Sequence, residues 1–274
     1  MESLTFDALG GECELYGIDV DAAALMQGQG WTMRMHDRFT RFEPNSELSR
    51  LNASGGRWSS VSPELEALLR ESLRAFEISD GLVNVAVLPA LIAAGYTRDF
   101  AAGPTPSTAA PRIRPLPEVL QLRPGEARLT DGAGLDLGGI AKGWLADRLA
   151  RDLGENVLVN LCGDLYARGS GATGEGWPVG FGDKTLLLKD MGAATSGTTK
   201  RAWAGGHPLI DPRTGLPART DLSEVSVLAA TAADAEIYAK VALLLGASTA
   251  PKWLASRSQG WSLVPTPPRR EDTL

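Results

Sequence analysis

The stretch Leu135 to Asp147 reads LDLGGIAKGWLAD and places a carboxylate, two glycines and a cation next to the start of a helical pattern. Ile140, Trp144, Leu145 and Leu149 recur on one helical face, so a strand or loop feeds directly into a helix. Gly138 and Gly139 fall where the free N–H groups and the positive end of the helix dipole point, and glycine lets a ligand approach the backbone closely. With Lys142 in the first turn and Asp136 before it, the group suits an anionic ligand that also needs one hydrogen bond to an acid, such as a nucleotide or dinucleotide. Taken alone, the same residues equally spell a helix cap, a glycine turn and a solvated lysine.

The elements that must position this stretch can be read on both sides of it. Ser3 to Leu9 and Cys13 to Ile18 predict a strand pair at a sheet edge, and Asp21 to Arg38 predicts a helix weakened by Gly28 and Gly30. Ser46 caps a short helix ending near Asn52, and Ser62, Pro63 and Glu64 open a longer one with a buried stripe at Leu65, Leu68, Leu69, Leu73 and Phe76. Phe39 and Phe42 flank the intervening turn, either as core or as a lid over a planar ring. Leu82 to Ala94 is an apolar segment broken by Pro89, and residues 97–117, rich in Pro, Ala, Thr and Gly, form a long connection and the expected lobe boundary. Strands follow at Val119 to Leu122, Ala127 to Thr130, Asn156 to Leu161 and Leu165 to Arg168, with Thr185 to Leu188 and Ala193 to Ser196 continuing the same sheet. Val225 to Leu228, a helix at Ala232 to Leu245, a last helix at Trp253 and a strand at Trp261 to Val264 complete an α+β chain without βαβ alternation. We expect one domain over residues 1–265 and a loose tail over 266–274.

Composition limits the partners. A 274-residue chain with 27 basic and 33 acidic residues carries a net charge of -6, which argues against nucleic acid or an anionic membrane as the main partner. Cys13 and Cys162 show no pairing pattern and no histidines at zinc spacing, so no thiol-ligated metal is expected and the compartment reads as reducing. No signal-like or membrane-length apolar run is present, and the cytoplasm is the expected location.

Five blocks in order, TRFEPNSELSRLN, SDGLVN, LDLGGIAKGWLAD, VNLCGD with TSGTTKR, and HPLIDPRTG followed by AEIYAKVALLLG, resemble the ApbE-like flavin transferases, the FAD:protein FMN transferases. The resemblance runs from about Leu9 to Gly246. It implies an α+β, T-fold-like architecture of two interlocked parts with FAD in the cleft between them. It also implies magnesium-assisted cleavage of the FAD diphosphate and passage of FMN to a Thr or Ser hydroxyl of an acceptor flavoprotein, with AMP released. Carried over by position, Asp136 hydrogen-bonds FAD and Lys142 contacts the flavin. Leu9, Phe42, Leu82, Val83, Asn84 and Ile210 line the flavin and adenine pockets, and Gly139 offers its carbonyl to the metal.

Three departures from the family pattern stand out. The family's Phe-Asp-Pro-Thr becomes Val83-Asn84-Val85-Ala86. Its metal-facing aspartate and threonine become Glu236 and Lys240, an i,i+4 pair able to form an internal ion pair, with the ammonium able to take the metal's place or to meet the phosphates. Its histidine slot holds Pro208, with His207 one residue upstream, so His207 or Asp211 is the expected base. His36 is expected to lie away from every motif. These departures leave a non-catalytic FAD carrier and an FAD diphosphatase as alternatives to the transferase.

Overall fold

The computed structural model describes residues 1–203 and 206–267. The expected loose tail therefore lies outside the described residues beyond Pro267. In chain order, β1 (Glu2–Ala8) and β2 (Gly11–Gly17) form a hairpin, followed by α1 (Ala22–Phe39), α2 (Glu47–Asn52), β3 (Trp58–Ser60), α3 (Pro63–Ile78) and α4 (Leu88–Ala93). After the long connection come α5 (Leu116–Val119), β4 (Leu120–Arg123), β5 (Glu126–Leu129), α6 (Ala141–Leu153), β6 (Val157–Leu161), β7 (Asp164–Arg168), β8 (Trp177–Phe181), β9 (Lys184–Leu188) and β10 (Met191–Gly197). The chain closes with β11 (Ile210–Asp211), β12 (Leu216–Pro217), β13 (Leu222–Ala229), α7 (Ala232–Leu245), α8 (Ala250–Leu254) and β14 (Gly260–Pro265).

The principal sheet has the order β1-β2-β6-β7-β10-β13-β14 and is antiparallel throughout. Its strands alternate as a two-sided sheet must. Val157, Val159 and Leu161 of β6 join the core beneath α1 and α6, while Leu158 points to the opposite face. That face is covered by the β8–β9 hairpin through Trp177, Val179 and Leu188. A small sheet of order β3-β5-β4 is held apart from the large one, beside α2, α3 and α5.

Local signals account for most element boundaries. Asp21, Ser46, Ser62 and Thr231 each accept a hydrogen bond from a first-turn N–H and so cap α1, α2, α3 and α7. Thr185 to Leu188 departs from expectation, because it pairs only with β8 and lies across the sheet rather than within it. Its apolar residues are needed to cover the face that the helices leave bare, and β8 itself carried no sequence signal distinct from its Gly-rich surroundings. Pro89 does not break its segment either. It lies in the first turn of α4, where its missing N–H has no helical partner to lose. The connection over 97–117 is tied down at intervals, with Thr108 N–H on the Ala93 carbonyl at 2.7 Å and the Asn84 amide on the Arg114 carbonyl at 2.9 Å. Among the described residues no helix is long and apolar enough to cross a membrane.

Helices α6 and α7 lie side by side on the sheet, and their approach is unusually close. A Cβ on Gly143 would stand 2.4 Å from the Ala232 carbonyl oxygen, and the Asp147 carboxylate accepts from the Ala232 and Ala233 N–H groups at 2.7 and 3.0 Å. Asp147 thus caps α7 from α6, although burial pushes its carboxyl up to about 6. Replacement Gly143→Ala has to force the two helices apart, and we expect a loss of about 1 to 3 kcal/mol in urea denaturation, the usual cost of overpacking a tight contact.

Candidate active site

The residues singled out in the sequence gather where three features meet: the start of α6, one end of the principal sheet, and one face of α7. Two-residue turns shape the sheet end. Leu9 and Gly10 have φ of 56° and 81° between β1 and β2, and Cys162 and Gly163 have φ of 59° and 95° between β6 and β7. Both are the left-handed pairs that match strand twist. Arg201 reaches over the first turn and donates to the Leu9 and Gly10 carbonyls at 3.4 and 3.0 Å.

Lys142, in the first turn of α6, points its ammonium at Asp164, the first residue of β7, and lies 3.8 Å from Glu236 of α7. Both carboxylates are almost wholly buried. Glu236 also accepts from the Gly143 N–H at 2.9 Å, so one carboxylate serves both the helix start and the lysine. Lys240, one turn along α7, donates its ammonium to the Gly139 carbonyl. Burial lowers the pKa of both lysines. Glu236 opposes the shift in each, Lys240 adds to it at Lys142, and Asp136 opposes it at Lys240. The internal Glu236–Lys240 ion pair that the spacing allowed is not formed, since Lys240 turns to the Gly139 carbonyl and Glu236 to α6.

Asp136 stands at the mouth of this cluster. Its Oδ1 accepts from the Gly138 N–H at 2.9 Å, and its own N–H is held by the Val85 carbonyl. Its Oδ2 is bound by Arg41 at 2.6 Å. Sequence reasoning missed Arg41. Its side chain is only 5% exposed, lies over the rings of Phe42 and Tyr96 at 4.3 and 4.6 Å, and donates to the Tyr96 carbonyl. Phe42, Tyr96 and Trp203 stand in successive contact, with ring centroids 5.6 and 5.7 Å apart. The available signal was a charged residue set between the aromatic and capping positions of TRFEP.

The remaining expected residues are placed as follows. Leu9 donates its N–H to His36 Nδ1 at 3.2 Å, so His36 is not remote from the motifs, and α1 lies against the first turn of the sheet. Val83 is buried, with Leu82 packed beside the main core. Asn84 is turned inward, its oxygen accepting from the Ala86 N–H and its amide holding the connection at Arg114. Ile210 packs with Ala90 and Leu91 in the cluster that Tyr96 borders. His207 and Asp211 form no hydrogen bond or ion pair with Asp136, Lys142, Lys240 or Glu236 among the described residues. His207 Nε2 lies 3.0 Å from the Ala218 carbonyl and must carry the proton there, which leaves the buried Nδ1 with a lone pair and no partner among the described residues. Burial lowers its pKa. Asp211 is gripped by Arg213 through two oxygens; burial pushes its carboxyl up, but the guanidinium more than offsets this and holds it below the ordinary value.

The donor set expected for magnesium does not fit a dication as it stands. The Gly139 carbonyl is already engaged by the Lys240 ammonium, Glu236 is shared by Gly143 and Lys142, and no group of three or more metal-binding side chains exists among the described residues.

The ApbE family model matches residues 14–264. A FAD:protein FMN transferase of Treponema pallidum is 32% identical over 237 residues, covering 74% of this chain and 66% of that protein. One from Klebsiella pneumoniae is 28% identical, covering 78% and 72%. The chain thus spans roughly two thirds of the length of these relatives. An ApbE protein of Thermotoga maritima superposes with a TM-score of 0.83 at 22% identity, covering 96% of this chain and 94% of that one, and a Pseudomonas stutzeri flavinyl transferase ApbE with 0.80 at 19%, covering 97% and 94%. The α+β fold is therefore that of the ApbE structures.

The buried lysines carry a measurable signature. A lysine whose folded pKa is lowered binds fewer protons folded than unfolded between its folded pKa and the ordinary 10.5, so stability rises with pH across that window. We expect the unfolding free energy to climb as pH rises toward the ordinary lysine value of 10.5, and Lys240→Met to flatten that climb. Urea denaturation in a pH series reads it.

Proposed function

The chain belongs to the ApbE family, and from that premise we propose that it is a FAD:protein FMN transferase, passing FMN from FAD to a Thr or Ser hydroxyl of an acceptor flavoprotein and releasing AMP. The observation that carries this reading is a pair of buried ammonium groups at the start of α6, Lys240 on the Gly139 carbonyl next to Asp136 and Lys142 on the Asp164 and Glu236 carboxylates. A diphosphate undergoing transfer needs charge neutralisation near its oxygens, and lysines can supply it as point charges. FAD occupies the cleft bordered by Leu9, Phe42, Leu82 and Val83, with Asp136 accepting from the nucleotide. Ionised Asp136 has acceptor capacity beyond the bonds from Arg41 and Gly138, so the ligand can share it.

In this reading the acceptor hydroxyl oxygen attacks the FMN-side phosphorus, the bond from that phosphorus to the bridging oxygen breaks, and AMP departs with the electron pair. The hydroxyl proton goes to His207 Nδ1, a step that requires this buried nitrogen to become accessible to the acceptor. Its lone pair, without a partner among the described residues, supports the assignment over Asp211, whose pairing with Arg213 makes it a weaker base. Magnesium has no step assigned to it, and the Lys240 ammonium supplies charge in its place. Residues 1–265 act as one transferase domain, and the compartment this reading assigns is the cytoplasm.

Incubation with FAD and an acceptor peptide, followed by detection of AMP and of a flavin mass addition, tests the reading. Asp136→Ala should weaken FAD binding by about 1.5 to 3 kcal/mol, the worth of a hydrogen bond to a charged group. A base must be neutral to act, so the acid limb of the transfer rate should fall below the ordinary histidine value of 6.5 and vanish in His207→Ala. FAD cleavage without any flavin addition would favour a diphosphatase, and FAD binding without AMP release would favour a flavin carrier.

A further inference from the structure

The chain's two cysteines stand 149 residues apart in sequence, yet the fold brings their sulfurs to 3.8 Å. Their spacing does not show this, because the contact is created by the pairing of β2 with β6. Cys13 is the register partner of Leu161, so Cys162 is its diagonal neighbour across the two strands, and the Cys162 N–H is fixed on the Glu12 carbonyl at 3.1 Å. Cys13 is fully buried, whereas Cys162 is partly exposed in the β6–β7 turn. Gly11 keeps the space beside them open, since a Cβ there would lie 3.3 Å from Cys162 Sγ. A disulfide would bring the two sulfurs from this separation to about 2.05 Å. The two thiols are also unequal. The hydrogen bond from Cys13, with help from Lys142 and Arg201 against the cost of burial, brings Cys162 down to about 7, while the same bond and burial push Cys13 up.

The geometry points to Cys162 as a hydroperoxide-reactive thiol and to Cys13 as its resolving partner, closing a reversible disulfide between β2 and the β6–β7 turn. In the first step Cys162 sulfur attacks one peroxide oxygen, the O–O bond breaks, and the departing oxygen takes up the thiol proton as alcohol or water, leaving a sulfenic acid. In the second, Cys13 sulfur attacks Cys162 sulfur, the S–O bond breaks, and water leaves with the Cys13 proton. The two sulfurs together lose two electrons and the peroxide gains two. Cys162 precedes Asp164, the partner of Lys142, by two residues, so the bridge anchors the sheet end on which the lysine rests. The inference does not depend on the transferase reading.

Hydrogen peroxide added to the full chain, followed by denaturing alkylation and non-reduced peptide mapping, tests it. The expected result is loss of both alkylatable thiols, a mass lower by two hydrogens, and a Cys13–Cys162 linked peptide within one chain that a dithiol reductant reverses. Cys13→Ser should stop at a sulfenic acid that dimedone traps on Cys162, and Cys162→Ser should lose the rapid peroxide reaction. A Cys13 that stays alkylatable while Cys162 proceeds to sulfinic acid, linkage only between chains, or peroxide consumption equal in wild type and Cys162→Ser would overturn the proposal. The wild-type peptide map decides the matter even if Cys13→Ser does not fold.

Discussion

An ammonium group removed from water must be met by carboxylates or carbonyl oxygens, and the crossing of α6 and α7 is built around two such groups. Lys142 is met by Asp164 and Glu236, and Lys240 by the Gly139 carbonyl. Each partner comes from a different element, so the positions of the α6 start, β7 and α7 are fixed together. The Gly143 contact and the Asp147 cap hold the helices at the spacing this requires. Were the helices one side chain further apart, Glu236 could no longer reach the Gly143 N–H, and Lys142 would lose one of its two anions.

The same arrangement sets the electrostatics of the site. Lys142 and Lys240 bring two cations against two carboxylates, Asp164 and Glu236, with Asp136 and Arg41 as a further pair at the mouth. The unliganded cluster is therefore close to neutral and satisfied, and a bound diphosphate would compete with carboxylates for the ammonium groups. Arg41 gives the mouth a second character, because its guanidinium is packed among Phe42 and Tyr96 and leaves Asp136 already partnered. Binding at Asp136 is thus an exchange or sharing of hydrogen bonds rather than the filling of an empty acceptor.

Much of this was legible in the sequence where the cause was local. The caps at Ser46 and Ser62, the helix over Ala232–Leu245 and the helix start after Gly139 follow from capping residues and apolar spacing. The family pattern located the departure at Lys240, and the structure shows which oxygen its ammonium meets. What could not be read depends on pairing between distant strands and on loops that cross. Arg41 finds Asp136 across 95 residues, Cys13 finds Cys162 across 149, and Leu9 finds His36 from a neighbouring helix. Thr185 to Leu188 pairs with β8 instead of continuing the main sheet for the same reason, since an apolar run does not say which face of which sheet it covers.

The central claim is that Lys240 fills, with an ammonium group, the place on the Gly139 carbonyl where the family pattern expects a metal. Calorimetric titration of magnesium into the FAD-free protein addresses it most directly, with Lys240→Thr as the companion. The account predicts no saturable heat for the wild type and measurable binding once the ammonium is removed; tight, saturable magnesium binding by the wild type, with the variant no different, would contradict it.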